Sequence, residues 1–306
     1  MSNSTSYILL DRIDIEAANA ISSPLTYGFP AITGFLGAIH ALGRKLPTDA
    51  GIALGGVLIA AHNLNVHHYK AAPGADYTFN QTRNPVTRNG TTAGIVEEGK
   101  ASLTVTLVVE VVADRQAHRE LKESPAEFET MIYENVMQQR MAGGSLTGIR
   151  KVQWFEKTHL DKLARALVTG FILMDAQKDL IDITRELQEK QSDATALDAL
   201  IEVATLHNLP REDQSEIADP VIHTVKTGRG WLVPMPVGFQ SIAPMVDAGV
   251  MQNCRNPEYP SQYVESVYSL GKWVFPYRIS DISACFWRYA KPQENLYLVT
   301  QTTTNI

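Results

Sequence analysis

The chain has little cysteine: Cys254 and Cys285 are the only two in 306 residues. Two distant thiols cannot form a disulfide framework, and they lack the close spacing of a zinc site. No apolar run approaches the ~18–20 residues needed to span a bilayer. The opening MSNSTSYILLDRIDIE lacks the basic start and unbroken apolar stretch of a signal peptide. A soluble cytoplasmic protein with no membrane partner is therefore expected. Basic charge is not in excess either, with 27 Lys and Arg against 33 Asp and Glu and a net charge of -6. That disfavours non-specific coating of nucleic acid but leaves room for a narrow basic groove. There is no HExxH, GxxxxGK or GxSxG, so no catalytic residue, cofactor or metal is expected.

What the chain does have is pattern. Tyr7–Ile15 reads as a strand, and Ile32, Phe35, Leu36, Ile39 and Leu42 fall at helical spacing. GIALGGVLIAAHNLNV is apolar and β-branched enough for a buried strand. Leu103, Val105, Leu107, Val109 and Val111 alternate with polar residues, as in a half-buried strand. Phe128, Met131, Ile132 and Val136 mark a second helix, and GSLTGIRKVQWF a further strand. The order βαββαβ predicts an α+β fold with a ferredoxin-like, RRM-like domain over residues 1–155. In that fold the helices cover one sheet face and leave the other available.

From about His159 the pattern turns helical. Leu160, Leu163, Leu167, Val168 and Phe171 form one stripe, Leu180, Ile183 and Leu187 another. Thr195 and Asp198 stand at capping-box spacing at the start of a short helix. Residues 156–228 are thus expected to be a helical insertion, with the polar PREDQSEIADP as a surface connector. Residues 229–306 form a mixed C-terminal segment packing on the core and a partner, with a helix expected around Tyr263–Leu270. Trp231, Trp273 and Trp287 there suit core positions or partner anchors.

Three segments carry candidate binding groups. Asn19, Ser22, Ser23 and Thr26 lie where the first strand leads into the first helix. Backbone donors at a helix start can hold a phosphate, and the same residues also suit a structured turn with ordinary caps. Residues of about 70–95 form a polar stretch far longer than the usual ~4–6 residue connection, a protrusion or a disordered loop. It holds Phe79, a possible base-stacking ring, Asn80, Asn84 and Asn89, which can read base edges or hold turns, and Arg83 and Arg88, whose guanidinium forks can clamp phosphates. A solvated loop with incidental arginines is the alternative. In the third segment Arg140 precedes Gly143, Gly144 and Ser145. The glycine pair would let a nucleic-acid backbone approach closely, or simply end a helix. His62, His67 and His68 sit near the long loop, which keeps a metal-independent RNA-processing enzyme among the alternatives. A purely protein-binding scaffold is the other.

The blocks NAISSPLTYGFP with FLGAIHAL, FNQTRNPVTRNGTTAGIVEEGKASL, MAGGSL and GWLVPMPVGFQSIAPM resemble the Csy-two family. Its members are the Cas-five-type subunits of type I-F CRISPR surveillance complexes. The resemblance runs from about residue 7 to the C-terminal tryptophan region. It implies a non-catalytic subunit that holds the 5′ handle of the CRISPR RNA. It further implies pairing with the large type I-F subunit at the foot of the complex and contact with the terminal backbone subunit. Target double-stranded DNA would be met through the assembled complex. The long loop would be the family's thumb, carrying Asn80, Arg83, Asn84 and Arg88. Asn19, Ser22, Ser23, Arg140, Gly143, Gly144 and Ser145 would line the handle path.

Overall fold

The computed structural model describes residues 4–209, 221–254 and 256–301; the connector expected at 210–220 lies outside them. The chain divides into two compact units, one from residues up to 172 with 275–288, the other from 173–274 with the residues from 289 on.

The first unit runs β1 (Ser4–Asn19), α1 (Ile32–Gly43), β2 (Ile52–Val66), then four short strands, β3 (His68–Lys70), β4 (Tyr77–Phe79), β5 (Gln81–Arg83) and β6 (Ile95–Glu97). It continues through β7 (Lys100–Ala113), α2 (Arg115–Glu123), α3 (Pro125–Met137), β8 (Arg140–Met141), β9 (Gly144–Glu156) and α4 (Leu160–Ala166) to the start of β10 (Phe171–Asp175). Its sheet has the order β2-β7-β1-β9-β8, each neighbouring pair antiparallel. Phe171 and Ile172 add a short pairing against Ala61 and Ala60 of β2.

The alternation in β7 explains one face. Leu103, Val105, Leu107, Val109 and Val111 are all buried, each contributing roughly 1.5–3 kcal/mol. Ile8 of β1 lies opposite both Val109 and Trp154. The Trp154 indole donates to Ser6 Oγ at 2.9 Å and its ring meets His118 of α2. The helical stripe of α1 is buried at every expected position, as are Phe128, Ile132 and Val136 of α3. Helix α2 was not expected: RQAHRELKE buries only Ala117 and Leu121, and its start is set by Asp114, which accepts from the amides of Gln116 and Ala117.

The opposite face is not bare. Tyr7 stacks on Phe286 at 5.3 Å, and Trp287 exchanges backbone hydrogen bonds with Val57 at 2.9 Å. Arg288 Nε donates to Glu110 at 2.9 Å. Further along this face, three irregular positions converge. Arg12, at a β1 bulge, has φ 49° and donates through Nη2 to Thr169 Oγ1, itself at φ 79°. His62, at a β2 bulge, shares a hydrogen bond with Thr106 Oγ1 at 2.8 Å. Thr106 donates to buried Asp11, which pairs with Arg150. Burial, then the Arg12 guanidinium, hold the His62 imidazole below its ordinary value.

The second unit holds α5 (Gln177–Gln188), α6 (Ala196–Ala204), β11 (His207–Leu209), β12 (Val221–His223), β13 (Trp231–Ser241), β14 (Val264–Val274), the end of β15 (Arg288–Tyr289) and β16 (Leu296–Thr300). β13 pairs antiparallel with both β14 and β16. Leu180, Ile183, Ala199, Leu200, Val203, Leu232 and Leu270 form its core. Thr195 and Asp198 make the expected capping box. Two expectations fail. The helix around Tyr263–Leu270 is strand β14: pairing along all of β13 outweighs an accidental helical spacing of Tyr263, Val267 and Leu270. The stripe from Leu160 to Phe171 also breaks, because α4 ends at Ala166, and after Thr169 and Gly170 Phe171 begins a strand.

Candidate nucleic-acid interface

Where β1 ends, its chain folds into a tight loop. Asn19 closes a turn on itself, with Nδ2 donating to the Ile21 carbonyl at 2.9 Å and Oδ1 accepting from the Ile21 amide at 3.2 Å. Ser22 Oγ and Ser23 Oγ each lie 2.7 Å from Thr26 Oγ1. Ser23 is buried and also accepts from the amides of Leu25 and Thr26. These serines therefore shape the loop, as the structured-turn reading expects. Helix α1 then starts at Ile32 after Ala31, which offers no side-chain cap.

Beside this loop lies the turn between β8 and β9. Ala142 and Gly143 both have positive φ, 49° and 79°, the backbone that a two-residue hairpin needs to match strand twist. The turn is packed from two sides. A Cβ on Gly144 would stand 2.7 Å from the Glu16 carbonyl and 2.8 Å from the Ala18 amide, and one on Gly34 of α1 would stand 3.1 Å from Ala142 Cα. Gly143 and Gly144 thus allow close approach, but what approaches is the protein's own backbone. Arg140 is exposed and donates through Nη2 to the Gly143 carbonyl of its own turn, while Ser145, paired with Arg140 in the hairpin, is exposed too.

The long polar stretch is two short ladders in series rather than one loop. β3 pairs with β4 and β5 with β6. The root is tied down by the His67 amide donating to the Lys100 carbonyl at 2.8 Å and the Glu98 amide donating to the Asn80 carbonyl at 3.2 Å. At the far tip, the Thr87 amide donates to the Thr91 carbonyl and Gly90 takes φ 75°. Arg83, Asn84, Arg88 and Asn89 are exposed, and among the described residues their side chains make no hydrogen bond or ion pair. The Ala72–Ala75 turn at the end of the first ladder leaves open space around Gly74.

The structure brings several of these residues together at one end of the sheet. The Asn19 amide donates to the Ala142 carbonyl at 2.9 Å, and the Ala20 amide to the Gly99 carbonyl at 2.9 Å. Phe79, at the root of the long stretch, meets Tyr27 of the first loop edge-on at 5.6 Å. So Asn19, Ser22, Ser23, Phe79, Asn80, Arg140, Gly143, Gly144 and Ser145 border one region. Arg83, Asn84, Arg88 and Asn89 extend away from it on the second ladder. The histidines do not form a centre: His62 bonds Thr106, His67 bonds Ser102 and His68 bonds the Val66 carbonyl. Sequence reasoning passed over Tyr27 and Tyr77, which are 71% and 63% exposed. An aromatic within a turn-rich segment, and one spaced two residues before Phe79, were the available signals. Among the described residues no group of three or more His, Cys, Asp or Glu is arranged for a metal, and no helix is long and apolar enough to cross a membrane.

Comparison with known proteins adds what geometry cannot. Residues 8–299 match the family model described as CRISPR-associated protein (Cas_Csy2). A curated relative, CRISPR-associated protein Csy2 of Pseudomonas aeruginosa (strain UCBPP-PA14), is 34% identical over 315 aligned positions, covering 95% of this chain and 93% of that protein. Among solved structures, the functionally uncharacterized protein SMU1763c from Streptococcus mutans overlaps 52% of this chain and 70% of its own, at 10% identity and a TM-score of 0.21. That last likeness bears on neither fold nor function.

Proposed function

This chain belongs to the CRISPR-associated Csy2 family, and from that premise we propose that it is a non-catalytic subunit of a type I-F RNA-guided surveillance complex. In this reading it grips the 5′ handle of the CRISPR RNA, pairs with the large subunit at the foot of the complex and touches the terminal backbone subunit. Target double-stranded DNA is met through base pairing by the guide RNA. Residues 1–155 act as a ferredoxin-like RNA-binding domain. The antiparallel order β2-β7-β1-β9, with α1 between the first two strands in sequence and α2 and α3 before the last, supports that assignment.

The observation that carries the reading is the pairing of a rigid region with an uncommitted arm. The Asn19 loop, the Ala142–Gly144 turn and the thumb root meet at one end of the sheet. Arg83 and Arg88 project from the arm with no protein partner among the described residues. Arginines held in the open, with no carboxylate to neutralise them, suit phosphates better than folding. A chain with net charge -6 needs only this local concentration to hold a short RNA segment.

Replacing both arginines by alanine in the assembled complex tests this. The salt dependence of handle-RNA binding should become shallower by about 1.4 in log–log slope for two lost single-strand phosphate contacts. Unchanged RNA affinity, slope and subunit assembly in the double variant would refute the role given to the arm.

A further inference from the structure

The first thumb ladder has two unlike faces. Cross-strand pairing sets His68 against Phe79 and Lys70 against Tyr77. Because side chains alternate along a strand, these four share one face, with Tyr69 and Thr78 on the other. The shared face is a continuous stripe of rings and cation. Lys70 Nζ stands 4.9 Å from the centre of the Tyr77 ring. Tyr77 and His68 meet edge-on at 4.7 Å, and Phe79 passes the stripe on to Tyr27 at 5.6 Å.

Packing does not account for this arrangement. Tyr77 and Tyr27 are mostly exposed and His68 and Lys70 are also exposed, so the rings stabilise little by burial. Lys70 forms no ion pair among the described residues. Exposed rings grouped around a cation that stands over one of them form a surface with the composition of a recognition site. Flat faces that accept any base, beside a charge for the backbone, are the chemistry of single-stranded nucleic-acid recognition. The stripe also ends at Tyr27, in the loop that contains Ser22 and Ser23, so it is continuous with the region assigned to the RNA handle. The four ladder residues of this face include no aliphatic side chain; Ile21, at the root, stands beside Phe79 next to Gly99.

We infer that the Lys70–Tyr77–His68–Phe79–Tyr27 stripe is a stacking surface for unpaired bases of single-stranded RNA, with Lys70 holding an adjoining phosphate. The inference rests on the RNA-handle reading above but assigns base contact to residues separate from the arm arginines.

The test uses the complete complex and the free full-length chain. Its probes are a short single-stranded RNA of the handle sequence and a matched oligonucleotide in which abasic riboses replace the bases. Tyr77→Ala and Tyr27→Ala should each weaken binding of the base-bearing RNA at least about fivefold, and Tyr77→Trp should restore it. The abasic probe should bind wild type and variants equally. Equal binding of the base-bearing RNA by the tyrosine variants overturns the stripe, even if arginine variants lose affinity and so leave the handle reading standing. If neither set of variants loses affinity, both fall. Loss of partner subunits from the tyrosine variants, with RNA binding intact, would assign the stripe to protein contact and also overturn the inference.

Discussion

Two turns in the first unit reverse a strand by similar backbone means and differ in everything else. The Met141–Gly144 turn takes positive φ at Ala142 and Gly143, and is pressed between β1 and α1 so closely that Gly144 has no room for a Cβ. The Thr87–Thr91 turn also uses a positive-φ glycine, Gly90, but nothing lies within 4 Å of where a Cβ would stand there or at Gly94. Both satisfy their backbone hydrogen bonds. Only the first is fixed by tertiary packing. The chain thus keeps a tightly packed scaffold turn beside an openly spaced arm, and the exposed Arg83 and Arg88 lie on the arm.

The contrast is broken most directly at Gly144. Gly144→Val would drive a branched side chain into the backbone of Glu16 and Ala18, and should cost about 3 kcal/mol or more. Chemical unfolding followed by urea titration measures it. A loss below about 1 kcal/mol would show that this turn is no more tightly packed than the one on the arm.

A smaller effect comes from the polar network of the same scaffold. His62 is held below its ordinary value of 6.5 by burial and by Arg12, so the unfolded chain binds a proton more readily than the folded one. Its contribution is fully present above that ordinary value and is lost as pH falls through the window down to the depressed folded value. Thermal unfolding at neutral and mildly acidic pH should show stability falling with acidity, and His62→Gln should flatten that fall. An identical pH profile in the variant would remove His62 from the account.

The smallest effect belongs to the arm. Gly94→Ala should change stability by no more than about 1 kcal/mol, in the stabilising direction. A larger loss would mean the arm is packed after all, and would erase the difference between the two turns.

How much of this could be read from sequence depends on where the deciding interaction lies. The strands β1, β2, β7 and β9 were legible because local alternation and burial agree, and α6 because Thr195 and Asp198 form their cap locally. Helix α2 was not legible: two apolar residues in nine make too thin a stripe. Strand β14 was misread because its partner strand lies more than twenty residues away and settles what spacing leaves open. The three-residue strands β3 to β6 are too short to carry a period at all. The same holds for the second sheet face, where Phe286 and Trp287 arrive from the far end of the chain. In the candidate site, residue type singled out Arg83 and Arg88, and both are exposed. It could not show that Ser23 spends its hydroxyl, and Arg140 one guanidinium nitrogen, on the protein itself, nor that Tyr27 and Phe79 meet.

The open turn around Gly74 has a practical consequence. No atom beyond its chain neighbours lies within 4 Å of where a Cβ on Gly74 would stand, so a cysteine fits there without displacing the ladder and offers a point for attaching a fluorophore. Burial, then the nearby Asp281 carboxylate, push the native Cys285 thiol up to about 12, so it stays protonated and inert to labelling reagents at neutral pH. Only Cys254 would need replacing. A reporter seated there, a few residues from Tyr77, would then test in real time the RNA contact proposed above, with no alteration to the rings themselves.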